Sequence, residues 1–132
     1  MNKYKNLTCL IADDFSTTRR IIKNSLNDLG FTCLEAENGV EALAIIQQLT
    51  INLVIADAHM PEKNGIELLK DIRADDNLKD LPVVIIMIEP LEELISEGEE
   101  LEMNDYLVKP FDVFSLSKVL DKVIVMESGE AL

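Results

Sequence analysis

Four side chains carry most of the chemistry open to this sequence: Asp13, Asp14, Asp57 and Lys109. Each follows an apolar run: Leu10-Ile11-Ala12 before the paired acids, Leu53-Val54-Ile55-Ala56 before Asp57, and Tyr106-Leu107-Val108 before Lys109-Pro110. Buried parallel strands of an open α/β sheet bring their carboxyl ends to one crevice, so these residues are expected to converge although they are far apart in the chain. Three acids in one crevice repel one another. A bare pair about 4 Å apart costs roughly 4 kcal/mol at an effective dielectric of about 20, so the cluster calls for a cation. A fourth apolar run, residues 82–87, should end at the same place and brings Met87 where polar chemistry would be expected.

The elements that must position these groups show in the periodicity. Residues 7–12 read as a strand and 16–29 as a helix, with Ile21, Ile22, Leu26 and Leu29 at helical spacing. Gly30 is placed to end that helix, Thr32–Ala36 reads as a second strand, and Asn38 as the N-cap of a helix carrying Ala42, Ile45, Ile46 and Leu49. Residues 51–56 are apolar at nearly every position, as suits a central parallel strand covered on both faces. A loop over 60–65 leads to a helix marked by Ile66, Leu68, Leu69 and Ile72, and residues 82–88 form the most hydrophobic strand. Pro90 is expected in the first turn of a fourth helix, where a missing N–H costs nothing. Asp105–Val108 is a fifth strand, and Val113 to Ile124 give a closing helix. Five strands alternating with five helices predict an α/β fold: a doubly wound, three-layered parallel sheet with right-handed crossovers, the strand order left open by the pattern.

A length of 132 residues suits one domain over 1–132. The net charge of -13, from 25 acids against 12 bases, opposes nucleic-acid binding, which relies on clustered Lys and Arg. No apolar stretch is long enough to span a bilayer and the N-terminus lacks the apolar core of a signal peptide, so no membrane association and a cytoplasmic location are expected. Cys9 and Cys33 lie alone in apolar runs without metal or redox spacing and read as reduced core residues; a strand-to-strand disulfide is the alternative in an oxidising compartment.

Asp13-Asp14 with Phe15-Ser16-Thr17-Thr18-Arg19-Arg20, then Asp57-Ala58-His59-Met60-Pro61, then Lys109-Pro110-Phe111, resembles the receiver domains of two-component response regulators, of the chemotaxis CheY type. The resemblance extends over essentially the whole chain, through Ile72-Arg73-Ala74-Asp75 and Leu81-Pro82-Val83. It implies a five-stranded sheet in the order 2-1-3-4-5. It also implies that Asp57 accepts a phosphoryl group from a histidine kinase and that Lys109 pairs with that group. Mg²⁺ would be held by Asp14, Asp57 and the backbone carbonyl of His59, with Asp13 supporting it. The chemistry is consistent, because Mg²⁺ favours few carboxylates, several waters and phosphate oxygens. A carboxylate nucleophile also needs its charge neutralised. Each residue has a plainer reading: an Asp after a strand is commonly a turn or helix-capping residue, and Lys109 could be a solvated surface lysine.

The sequence departs from the family where its fourth strand normally ends in Ser or Thr followed by a small residue; here stand Met87 and Ile88. The resemblance implies that the missing hydroxyl would bond a phosphoryl oxygen and let the aromatic at Tyr106 turn inward. A thioether donates nothing. Ile88 could narrow access to Asp57; alternatively, Met87 and Ile88 merely extend the apolar strand. His59 could order water or titrate near neutral pH, or be a plain exposed loop residue. Between Glu89 and Asp105 eight of seventeen residues are acidic, a solvated helix face or one that repels acidic partners.

The leading expectation is a stand-alone receiver phosphorylated on Asp57 with altered output switching, and no effector domain is expected after Val125. Its downstream protein, of unknown identity, would dock on the face made by the fourth helix, fifth strand and fifth helix. The alternative is a degenerate receiver that acts as a phosphorylation-independent interaction module. An Asp-nucleophile phosphatase would need an acid where His59 stands.

Overall fold

The computed structural model describes residues 4–128. Its strands are β1 (Thr8–Ala12), β2 (Thr32–Ala36), β3 (Leu53–Asp57), β4 (Val83–Met87) and β5 (Asp105–Val108). They alternate with α1 (Ser16–Asp28), α2 (Gly39–Gln48), α3 (Gly65–Ala74), α4 (Glu92–Glu100) and α5 (Val113–Ser128). All pairings are parallel and the strand order is β2-β1-β3-β4-β5. The chain leaves β1 toward one edge and returns to its other side as β3, so the crevice at this reversal opens above the carboxyl ends of β1 and β3.

Every residue of β3 and β4 is buried, which explains their unbroken apolar sequence. Alternate side chains feed two cores. Leu10, Val54, Ala56, Val83, Ile85 and Met87 pack with Ala42 and Ile46 of α2 and Leu68, Leu69 and Ile72 of α3. Cys9, Ile11, Leu53, Ile55, Val84 and Ile86 pack with Ile22 and Leu26 of α1 and Leu116, Leu120 and Val123 of α5. A strand sandwiched in this way has no wet face on which a polar residue could alternate.

The helix ends follow side-chain chemistry. Asn38 accepts the Glu41 N–H at 2.8 Å, and Asn64 and Glu67 form a reciprocal capping box. Gly30, at φ 107°, follows the α1 C-cap Leu29 and donates its N–H to the Asn27 carbonyl at 3.0 Å. At the far end of the sheet Arg73 bonds the carbonyls of Lys79, Leu81 and Glu102 and the Asn104 side chain, tying α3 to the loops that enter β4 and β5.

Three boundaries differ from the sequence expectation. β3 runs through Asp57 itself, and β4 stops at Met87, leaving Ile88 outside the strand and 61% exposed. Pro90 is not in the first turn of α4: Leu91, extended at ψ 130°, is the N-cap, with no side-chain cap to draw the helix start earlier. Cys9 and Cys33 face each other across β1 and β2 as free thiols. Burial pushes both thiols up, Cys33 to about 11, which disfavours the reactive thiolate.

Candidate functional site

Register puts the acids together. Ala12, the last residue of β1, pairs with Ala56, so Asp13 and Asp57 leave neighbouring strands at the same height. Both are buried, Asp14 beside them is exposed, and one carboxylate oxygen from each of the three lies within 4.8 Å of the others. Val108 pairs with Met87, which delivers Lys109 to the same end of the sheet. Its Nζ lies 2.9 Å from Asp57 Oδ2 and 3.1 Å from Asp13 Oδ2.

The turn role of an Asp after a strand coexists with this cluster. Asp57 Oδ1 accepts the His59 N–H at 2.7 Å, and Asp13 Oδ1 accepts the Phe15 N–H at 2.9 Å. Neither Asp13 nor Asp14 is spent capping α1, whose N-cap is Phe15 without a side-chain bond. Asp13 Oδ2 is left buried with no hydrogen bond: Lys109 meets it as an ion pair without hydrogen-bond alignment.

Electrostatics follows from one cation among three acids. Burial pushes the Asp13 carboxyl up; the Phe15 N–H opposes this, the nearby Asp57 adds to it, and Lys109 offsets part of it. Burial alone would lower the Lys109 ammonium, but the hydrogen bond and charge of Asp57, then the nearby Asp13 carboxylate, more than reverse this and leave it raised. Lys109 is therefore a fixed cation at neutral pH. Three carboxylates brought together at one crevice, one of them with a buried oxygen that has no hydrogen-bond partner, fit a hard divalent cation such as Mg²⁺ better than a soft one.

Two supporting residues carried no sequence signal of this role. Gly65 begins α3 directly beneath Asp57: a Cβ there would stand 2.4 Å from the Asp57 carbonyl oxygen and 2.9 Å from its carbon. Gly65→Ala is expected to cost about 2–3 kcal/mol in denaturant unfolding, because the helix must back away from the strand that carries Asp57. Arg19 donates to the Asp13 carbonyl at 2.7 Å and to Glu35 Oε1 at 2.8 Å, clamping the β1–α1 turn to the end of β2. Only the loop glycine before a helix was readable in the sequence. An Arg six residues after Asp13 looks like any exposed helix cation.

The remaining expected positions divide. Met87 is completely buried in the same core as Ala58 and Met60, with part-buried Tyr106 packed against that core, so no hydroxyl stands at the β4 end. The plain reading of Met87 as core holds, whereas Ile88 does not extend the strand. His59 is exposed.

The response regulator receiver domain model matches residues 9–121. This chain belongs to the response regulator receiver family. It is 48% identical over 120 residues to chemotaxis protein CheY-3 of Vibrio cholerae, covering 90% of this chain and 92% of that protein. It is 42% identical over 121 residues to the chemotaxis protein CheY of Pseudomonas aeruginosa, covering 91% and 98%. Among solved structures, CheY4 of Vibrio cholerae superposes with a TM-score of 0.84 at 32% identity, covering 89% of this chain and 98% of that one. The receiver is thus CheY-like, and its five-stranded 2-1-3-4-5 sheet is that of the family. No helix among the described residues is long and apolar enough to cross a membrane.

Proposed function

We propose that this CheY-like receiver is a cytoplasmic response regulator that takes a phosphoryl group from a histidine kinase onto Asp57 in a Mg²⁺-dependent step. The supporting observation is the pairing of Lys109 Nζ with Asp57 Oδ2 at 2.9 Å inside the three-acid crevice. In this reading an Asp57 carboxylate oxygen forms the new O–P bond while the N–P bond to the kinase histidine breaks, its electron pair staying on the imidazole nitrogen. Asp14, Asp57 and the His59 carbonyl would hold the metal, with the buried Asp13 supporting it. When bound, such a cation would supply neutralisation of the charge that gathers as the phosphoryl group is transferred. Lys109, already at Asp57, moves its cation onto the incoming group.

The output is altered. Met87 offers the phosphoryl group no hydrogen-bond donor, and it is wholly buried in the apolar core against which Tyr106 packs. The same observation favours the second reading, an interaction module that needs no phosphate. Intact-mass measurement after incubation with Mg²⁺ and a small phosphodonor separates the two. Addition of one phosphoryl group to the wild-type chain, absent in Asp57→Asn, supports the regulator. No addition in wild type, but addition after Met87→Thr with Ile88→Ala, supports the module.

A further inference from the structure

The turn that carries Asp13 and Asp14 is held from three directions. The Asp13 N–H donates to the Ala36 carbonyl at the end of β2 at 3.1 Å, and Asp13 Oδ1 accepts the Phe15 N–H at 2.9 Å. The Asp13 carbonyl accepts from Arg19 Nη1 at 2.7 Å. That carbonyl belongs to the rigid peptide plane joining Asp13 to Asp14. A donor on it restrains rotation of the plane, and with it the direction in which Asp14 leaves the backbone. Asp14 is exposed, and among the described residues no hydrogen bond or ion pair fixes its carboxylate. Its aim is therefore set through the backbone.

Arg19 is itself aimed by a partner on the edge strand. Side chains of a helix lean toward its N-terminus, so a residue in the first turns of α1 can reach back to residue 13. Arg19 Nε meets Glu35 Oε1 of β2 at 2.8 Å, and only 11% of the Arg19 side chain is exposed. The guanidinium holds both partners because its donors diverge in a fixed fork; an ammonium is a single point of charge. The Arg19 hydrogen bond, followed by that of Lys23, outweighs burial and holds the Glu35 carboxyl below the usual carboxylate range, so the pair is charged at neutral pH. Glu35 also balances the guanidinium. Without it an uncompensated cation would stand behind the acids and repel a metal ion.

We propose that Arg19 and Glu35 are positioning residues for the metal site: Glu35, on the edge strand, sets the affinity of the crevice for a hard divalent cation through Arg19 and the Asp13–Asp14 peptide. Neither residue touches the metal or the phosphoryl group. The arrangement is an outer shell of the kind that orients ligands without binding the ion. The proposal deepens the regulator reading and rests on it for the location of the cation.

The test is a Mg²⁺ titration of the whole chain, read by the amide shifts of Asp13, Asp14 and Asp57 well below the melting temperature of every variant. Arg19→Gln should weaken Mg²⁺ binding about tenfold, with Arg19→Lys falling between it and wild type. Glu35→Gln should weaken it in the same direction, although its side chain lies on the neighbouring strand. Lys23→Gln removes the other partner of Glu35, at 3.3 Å, and leaves the Arg19 clamp in place, so it should titrate as wild type. Should Arg19→Gln fail to fold, Glu35→Gln at its partly exposed position decides. A merely structural clamp would lower the melting temperature and leave the affinity of the folded protein unchanged, and that result would overturn the proposal. Equal weakening by Lys23→Gln and Glu35→Gln would overturn it as well. The two readings fail separately: phosphorylation of Asp57 in the mass assay with unaltered Mg²⁺ affinity in the variants sinks the positioning role alone, whereas weakened affinity without phosphorylation of wild type sinks the regulator reading alone.

Discussion

Asp13→Asn is expected to make the metal-free protein more stable while weakening its Mg²⁺ affinity about ten- to hundredfold. Asp13 is wholly buried, with one oxygen lacking a hydrogen bond and Lys109 shared with Asp57, so its negative charge is poorly compensated. Removing that charge relieves repulsion with Asp57 but also ends its attraction to Lys109. The balance should favour the variant by about 1–2 kcal/mol in chelator, or roughly 3–6 °C in melting temperature for a domain of this size. The pH dependence carries the sign. Burial raises the folded Asp13 carboxyl, so the folded chain keeps a proton that the unfolded chain has already lost. Wild-type stability therefore falls as pH climbs from the ordinary Asp range, about 3.9, through the raised folded value, and Asp13→Asn should lose that decline. Saturating Mg²⁺ at about 100 times its dissociation constant should return about 2.7 kcal/mol to wild type and much less to the variant. Thermal melts with and without chelator read all three effects. Equal melting of the two proteins in chelator would show that Lys109 already neutralises Asp13.

Met87→Thr is expected to act oppositely on stability and on signalling. Met87 has no exposed surface and belongs to the core that Tyr106 borders, so a shorter side chain with a hydroxyl should cost about 1–3 kcal/mol in denaturant unfolding. The hydroxyl would gain a partner only when a phosphoryl group arrives. A hydrogen bond to a charged group is worth roughly 1.5–3 kcal/mol, so the link between phosphorylation and the conformation of β4, α4 and Tyr106 should strengthen about ten- to hundredfold. Amide and Tyr106 ring shifts recorded with and without a phosphodonor measure that link. In wild type the changes should stay near Asp57 and Lys109; in the variant they should reach Tyr106 and α4. Identical shift patterns in both would show that Met87 does not limit the response.

The stability ranking among these sites has a structural cause. Gly65 and Met87 touch the frame of the crevice through hard contacts, whereas Asp13 touches it through charge. Steric errors in a close-packed interior must be absorbed by moving backbone. A charge error can be met by an ion, which is why the Asp13 effect alone should depend on metal and on pH.

Much of this was legible in the chain. Unbroken apolar runs at Leu53 to Ala56 and Val83 to Met87 required strands covered on both faces, and the helical spacing of Ile22 with Leu26 and of Leu68 with Ile72 supplied the two covering layers. Because side chains on a parallel sheet alternate between two buried layers, that pattern fixes layer architecture without contact information. It also placed Asp13, Asp14, Asp57 and Lys109 at strand ends and Met87 as the residue out of keeping with them. Tertiary structure alone decided the rest. The β1–β3 register set Asp13 beside Asp57 and gave Lys109 two partners. Packing of α3 against the Asp57 carbonyl made Gly65 indispensable, and the long reach of Arg19 tied the acidic turn to β2. It likewise separated Met87, inside the core, from Ile88, out in solvent. Residue type and local period determine which face is buried, but distances between charges depend on register and helix docking, which join residues that periodicity treats as independent.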